Sequence, residues 1–321
     1  MQEDYITTNE KLQVLNDIGR GGKRRPWEHH KMANELLAIA YDDIDKAKAE
    51  RLRECATWLA YQKTDNCMKL ARANFCRVRL CPMCQWRRSL KVYGHVTKVV
   101  QAYERERPHA YAMLTLTVQN CQSTDLRTQI DAIMIAWDKM TRRAAWRKVV
   151  KGWYRGLEIT HNVNPASSSY DTYHPHFHVL LAFNGSYFTS RDYMKQEEWT
   201  TLWKEALKCD YTPIVDIRRC KATTAGAIAE VTKYATKAAD FIIPDDWDLT
   251  VDTVRILDKA MDKRRFAAFG GDLKKIHHAL NLGDPEDGDL VHIDDESKAE
   301  KEGNEIIFHW YTGYRQYYAE V

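Results

Sequence analysis

The nine residues Tyr173-His174-Pro175-His176-Phe177-His178-Val179-Leu180-Leu181 constrain this chain more than any other stretch. Side chains alternate across a β-strand, so His176 and His178 share one face. Phe177, Val179 and Leu181 take the other face and line a core. Two neutral imidazoles on one face can hold one divalent cation. The plainer alternative is a half-exposed strand that happens to carry histidines. The rest of the chain decides between them.

Composition removes several classes at once. With 44% hydrophobic and 29% charged residues over 321 positions, the chain has ordinary globular usage and ample material for a core. No apolar run is long enough to span a bilayer. The start, Met1-Gln2-Glu3-Asp4-Tyr5, carries no signal-peptide pattern, so the expected location is the cytoplasm, with no membrane partner. The net charge of +3 conceals an asymmetry. From Asp240 to Val321 there are 19 acidic and 10 basic residues; of the 48 basic and 45 acidic in the whole chain, that leaves 38 and 26, an excess of +12, before Asp240. The first three quarters suit a polyanion such as DNA, whereas the tail does not.

Eight cysteines in a reducing compartment point to metal rather than disulfides. Cys81-Pro82-Met83-Cys84 has zinc-knuckle spacing, because two intervening residues let both sulfurs reach one tetrahedral ion. Cys76 is the third candidate ligand. The fourth is Cys55 or Cys67, with Cys55 preferred because it ends a helix-like segment. A redox pair is the alternative for this spacing. The cations Arg79, Arg87 and Arg88 around the knuckle, and Arg20, Lys23, Arg24 and Arg25 in a glycine-rich arm, are candidate DNA contacts. That arm is expected to be mobile.

Periodicity supplies the order of elements. Met1 to Ala60 reads as helical around the arm, with Leu36, Leu37, Ile39, Ile44 and Leu52 at helical spacing. His109–Asn120 is a strand and Leu126–Met140 an amphipathic helix whose end carries Arg142, Arg143, Arg147, Lys148 and Lys151. Trp153–Val163 is a strand, and a short loop then leads to the histidine strand. Ser190–Leu207 is a helix with Tyr193, Trp199, Leu202, Trp203 and Ala206 inside. Pro213–Arg219 is a strand and Thr223–Asp240 a helix. The expected class is α+β, a split βαβ core with a central antiparallel sheet and flanking helices, plus an N-terminal helical and zinc-binding region. The expected domains are 1–107, 108–240 and an acidic 241–321 packed on the core, which ends in an aromatic strand or hairpin over Ile306–Tyr318. An antiparallel pair brings Glu158 to the face of His176 and His178, and two histidines with one carboxylate form a facial metal set. On the last core helix Glu230, Tyr234 and Lys237 share a side, and a neighbouring cation favours a phenolate.

Four motifs in this order resemble rolling-circle plasmid replication initiators of the HUH endonuclease superfamily. They are Leu114-Thr115-Leu116-Thr117, His176-Phe177-His178, Glu230…Tyr234…Lys237, and the Cys-rich block from Arg79 to Arg88. The likeness runs from Arg25-Pro26-Trp27 to Leu280-Asn281-Leu282. It implies origin-specific nicking and joining of DNA through a 5′-phosphotyrosine. His176, His178 and Glu158 would then hold Mn2+ or Mg2+, Tyr234 would be the nucleophile and Glu230 would serve termination. Thr115 and Thr117 carry over only as structural residues. The implied partners are the double-stranded origin, the single-stranded nick site, and a host helicase and polymerase; a homodimer is compatible. The rivals are a relaxase or transposase of the same superfamily, a non-enzymatic zinc-containing DNA-binding regulator, and a metal-dependent hydrolase of small substrates.

Overall fold

In the computed structural model, residues 12–19, 22–63, 68–220, 225–232, 241–293 and 305–320 are described. Arg20, Cys67, Tyr234 and Lys237 lie outside them. The chain is mixed α+β, with two antiparallel five-stranded sheets. It divides into two units, one of residues 1–87 with 289–321 and one of residues 88–288. Those limits differ from the three consecutive domains expected from sequence, because the last two strands join the N-terminal ones.

The first unit is built on the strand order β1-β10-β9-β2-β3. Here β1 is Leu12–Val14, β2 Trp58–Lys63, β3 Met68–Ala73, β9 Glu305–Tyr311 and β10 Gln316–Glu320. The stretch to Ala60 is therefore not all helix. Helices α1 (Trp27–Asp42) and α2 (Lys46–Glu54) are separated at Asp45, whose side chain accepts the Lys48 N–H and caps α2. The buried face of α1 is Trp27, Lys31, Asn34, Leu37, Ala38 and Tyr41, while the apolar Leu36 and Ile39 are exposed. Lys31 is inward because its ammonium donates to the carbonyls of Arg53 and Cys55, both at 2.8 Å, and so closes the end of α2.

The arm is pinned at its flanks. Ile18 bridges to Arg24, the Arg25 N–H donates to the Asp17 carbonyl at 2.8 Å, and the Arg25 guanidinium lies 3.4 Å from the Asp17 carboxylate. Asp17 is buried and also accepts from the Trp27 indole and the Tyr61 hydroxyl, each at 2.8 Å.

The second unit carries the order β7-β4-β6-β5-β8. Its strands are β4 (His109–Leu116), β5 (Gly152–Asn162), β6 (Thr172–Asn184), β7 (Val215–Arg219) and β8 (Ala267–Gly270). The histidine strand β6 is thus the middle strand, paired on both sides. Its Phe177 packs edge-on against Trp137 of α4 (Leu126–Thr141) and Trp203 of α6 (Gln196–Leu207). Its other face is also covered. Leu180 and Ala182 join a buried cluster with Val92, Val96 and Val99 of α3 (Pro82–Glu104), Ile228 and Val231 of α7 (Ala225–Val231), and Leu273 of α9 (Gly271–Ala279). Helix α6 starts at Gln196 rather than Ser190, because the Glu198 carboxylate accepts the Lys195 N–H at 2.7 Å and fixes the start there. A 3-10 turn, Tyr187–Thr189, precedes it, and Tyr193 is exposed. The described part of the helix expected over Thr223–Asp240 is α7. No described helix is long and apolar enough to cross a membrane.

Candidate functional site

Register brings the three acceptors together. Thr115 pairs with His178 across β4 and β6, and Glu158 pairs with His176 across β5 and β6. Directly paired residues point to the same face, so Thr115, Glu158, His176 and His178 converge. The His176 and His178 Nε2 atoms are 3.2 Å apart. A Glu158 carboxylate oxygen lies 3.1 Å from His178 Nε2 and 3.6 Å from His176 Nε2. Neighbouring ligands of an octahedral ion with bonds near 2.1 Å are about 3 Å apart, so the spacing fits one shared cation.

The second ring nitrogens explain the orientation. His176 Nδ1 lies 3.1 Å from the His174 carbonyl, which can only accept, so Nδ1 carries the proton and Nε2 presents its lone pair. His178 Nδ1 lies 3.3 Å from the Thr115 hydroxyl. The side chains of Glu158, His176 and His178 are 7%, 10% and 14% exposed. Three acceptors so close in so dry a place are compensated best by a divalent cation. The anchors are Thr115 and the His174 carbonyl; the sequence placed Thr115 in a structural motif but gave no sign that it reaches His178. That contact depends on register across two strands 63 residues apart.

Gly156 sits beside this centre, paired with His178. A Cβ there would stand 2.7 Å from the Val231 carbonyl oxygen at the end of α7. The missing side chain lets α7 lie directly on the histidine face. Glu230 is on this helix, and Tyr234 follows Val231 by three residues. Gly156→Ala is therefore expected to push α7 away. A displacement near 1 Å costs about 10²-fold in a positioned reaction. Any activity that needs α7 seated on this face should fall by that factor, while divalent-cation affinity, read by titration calorimetry, changes less than about threefold. Equal loss of both would place the defect in the metal set instead.

The four thiols of Cys55, Cys76, Cys81 and Cys84 form a second cluster, in the first unit. Their Sγ atoms are 3.6 Å apart for Cys55–Cys81 and 3.7 Å for Cys55–Cys84 and Cys76–Cys84. A tetrahedral ion with Zn–S bonds of 2.3 Å requires about 3.8 Å. Backbone N–H groups of Cys76, Arg77 and Cys84 donate to Cys55, Cys84 and Cys81 sulfurs at 3.3, 3.2 and 3.4 Å. Burial pushes the Cys55 and Cys81 thiols well above the usual range, so thiolates there need a cation.

The expected DNA contacts separate. Arg87 is buried, and its guanidinium donates to the Leu290 and Val291 carbonyls at 2.9 and 2.7 Å and lies over the Trp27 and Trp86 rings. It is engaged inside the first unit rather than held at the surface, where the sequence expectation had placed it. Arg24 pairs with Glu28 and Arg25 with Asp17, whereas Lys23 is exposed. Arg79 and Arg88 are half-buried.

Comparison with known proteins decides the family. Residues 67–318 match the family model described as replication protein. The chain belongs to this family. It is a rolling-circle plasmid replication initiator, the group that its four motifs resemble. A Protein rep of Bacillus amyloliquefaciens is 39% identical over 98% of this chain and 99% of its own length. A Protein rep of a Bacillus species is 42% identical over 83% and 90%, and one of Streptococcus pneumoniae is 32% identical over 96% of each. No solved structure matches. The second unit of this initiator, with its histidine strand, lies wholly inside the matched region.

Proposed function

We propose that this initiator nicks and rejoins a single DNA strand at the plasmid origin through a 5′-phosphotyrosine on Tyr234. The convergence of Glu158, His176 and His178 on one point carries this reading. These three residues hold Mn2+ or Mg2+, with imidazole ligands favouring Mn2+. When bound, such an ion neutralises and orients the scissile phosphate. His174 and Thr115 keep the ring nitrogens aimed inward.

Tyr234 loses its phenolic proton, and Lys237 favours the resulting phenolate. The Tyr234 oxygen bonds to phosphorus as the P–O3′ bond breaks, and the released 3′-oxygen takes a proton. The phosphodiester energy is kept in the new link, so the strand can later be rejoined. The free 3′-hydroxyl is then a primer for a host polymerase, with a host helicase opening the duplex. At termination Glu230 activates a water to release the strand by hydrolysis, or a 3′-hydroxyl attacks the same phosphate, displaces the Tyr234 oxygen and rejoins the strand. The Cys55, Cys76, Cys81 and Cys84 thiolates hold Zn2+ and brace the first unit.

Incubation with single-stranded origin DNA and Mn2+, followed by a denaturing gel, tests the reading. The wild type should yield a covalent adduct that protease treatment removes. Tyr234→Phe should form none, a drop beyond about 10⁴-fold, while binding the same DNA normally. An adduct on the Phe variant would assign the nucleophile elsewhere. A non-enzymatic regulator would bind DNA and give no adduct in either protein.

A further inference from the structure

Strand β7 is an edge of the second sheet, and Ile214 immediately precedes it. Ile214 is 76% exposed, the most exposed large apolar side chain among the described residues. We propose that it is the apolar contact for the base beside the scissile phosphate, an inference that rests on the nicking function above.

Register puts Ile214 in line with the metal set. Val215 pairs with Leu116 and is buried on the side of Phe177. Alternation then turns Ile214 to the opposite face, the one that carries the histidines. Asp216, the next residue on that face, pairs with Thr115, which pairs with His178. The Thr117 N–H donates to the Ile214 carbonyl at 3.2 Å, so the pairing of β4 with β7 continues through these two residues. Leu116 pairs with Phe177, so Thr117 comes opposite His176, and His176 pairs with Glu158. One row therefore crosses four strands through Ile214, Thr117, His176 and Glu158. Two strand spacings, about 10 Å, separate Ile214 from His176. The sugar and base of one nucleotide cover that span.

The backbone holds Ile214 firmly while its side chain stays in solvent. Its carbonyl also accepts the Thr117 hydroxyl at 2.8 Å. The Thr117 carbonyl accepts the Trp203 indole N–H at 2.8 Å, and the Gln119 N–H donates to the Tyr211 hydroxyl at 3.2 Å. Pro213, which is buried, restricts the chain just before Ile214. A β-branched side chain on such a base has few rotamers to lose on contact. Single exposed isoleucines are ordinary; this one is set apart by its bracing and by its row. The rest of β7 suits the same strand of DNA. Arg218 shares the face of Asp216 and is 74% exposed, with its Nε held by the Asp216 carboxylate at 2.8 Å. The end of its guanidinium is placed for a neighbouring phosphate. The adjacent Arg218 and Arg219 also blunt β7 as an edge for pairing with another protein strand.

Two measurements with the full chain test the contact. The first is single-turnover adduct formation with Mn2+ on an oligonucleotide spanning the plasmid nick site. Ile214→Ser should slow it about tenfold, the lower end of what covering an isoleucine is worth. Ile214→Val should stay within about fourfold of wild type, the worth of one methyl group. Ile135→Ser removes an isoleucine that is 55% exposed on α4, and should change the rate less than about twofold. An abasic site at one nucleotide flanking the nick should slow the wild type as much as Ile214→Ser does. It should add nothing to that variant, because both remove one contact from opposite sides. Equal rates for the two serine variants, or additive losses at both flanking positions, overturn the contact and leave nicking standing. The second measurement is anisotropy of fluorescein-labelled dT12 without added divalent cation, where Ile214→Ser should weaken binding about fivefold. Unchanged affinity for dT12 overturns the contact. A wild type that forms no adduct, with the dT12 effect present, overturns nicking and keeps Ile214 as a DNA contact. A wild-type dimer that Ile214→Ser splits into monomers of undiminished nicking rate makes the residue a subunit contact, and overturns the proposal.

Discussion

His178→Ala is expected to abolish metal-dependent nicking, with a fall of about 10³-fold or more in the rate of adduct formation. His178 stands within 3.2 Å of both other acceptors and is held by Thr115, so its loss opens the set from the middle. Charge neutralisation at a phosphate is worth several kcal/mol, and each 1.36 kcal/mol is tenfold in rate. DNA binding in EDTA should be unchanged, because the role proposed for the residue is to hold the metal rather than to meet base or sugar. Thr115→Val gives a graded control. It keeps the shape and removes only the hydroxyl, and outer partners of this kind cost roughly 10–100-fold in affinity or activity. Higher Mn2+ should partly rescue Thr115→Val and should not rescue His178→Ala. If His178→Ala nicks at the wild-type rate, the metal set is misassigned.

Cys81→Ser is expected to unfold the first unit while leaving the second intact. Cys81 is fully buried, and its sulfur lies 3.6 Å from that of Cys55, inside the cluster of four. Structural zinc contributes on the order of 10–16 kcal/mol, comparable with the whole stability of an ordinary domain at about 5–15 kcal/mol. Zinc content by mass spectrometry should drop from one per chain to below about 0.1. Limited proteolysis should then cut within residues 1–87 and spare residues 88–288. Retention of one zinc, or of protease resistance in the first unit, would show that these thiols do not hold the ion. A strong chelator applied to the wild type should reproduce the same cleavage pattern.

The two clusters were legible because each is written locally. The alternation His176-Phe177-His178 fixes a face in three residues, and Cys81-Pro82-Met83-Cys84 fixes a turn in four. Glu158 needed only the assumption of an antiparallel neighbour, which a short loop supports. What the sequence concealed depends on distant partners. Arg87 looks like a DNA contact beside other arginines, yet its carbonyl partners lie 203 and 204 residues further on. Lys31 looks like a surface cation on α1, yet two carbonyls at the end of α2 accept from its ammonium. Leu36 and Ile39 carried the helical period while the true inward stripe included a lysine and an asparagine. The glycine-rich arm looked free because Asp17, which anchors Arg25 and Trp27, has no motif of its own.

The strand order of the first sheet also sets a schedule for biosynthesis. β1 pairs only with β10, and β2 reaches β10 only through β9, so residues near the start wait for residues beyond Glu305. Leu12 meets Glu320, almost the full length of the chain apart. The second unit is one uninterrupted segment and can fold on the ribosome before that meeting is possible. A chain that ends between residues 288 and 305 therefore has its histidine centre complete and its first sheet unclosed, with β2 exposing an unpaired edge.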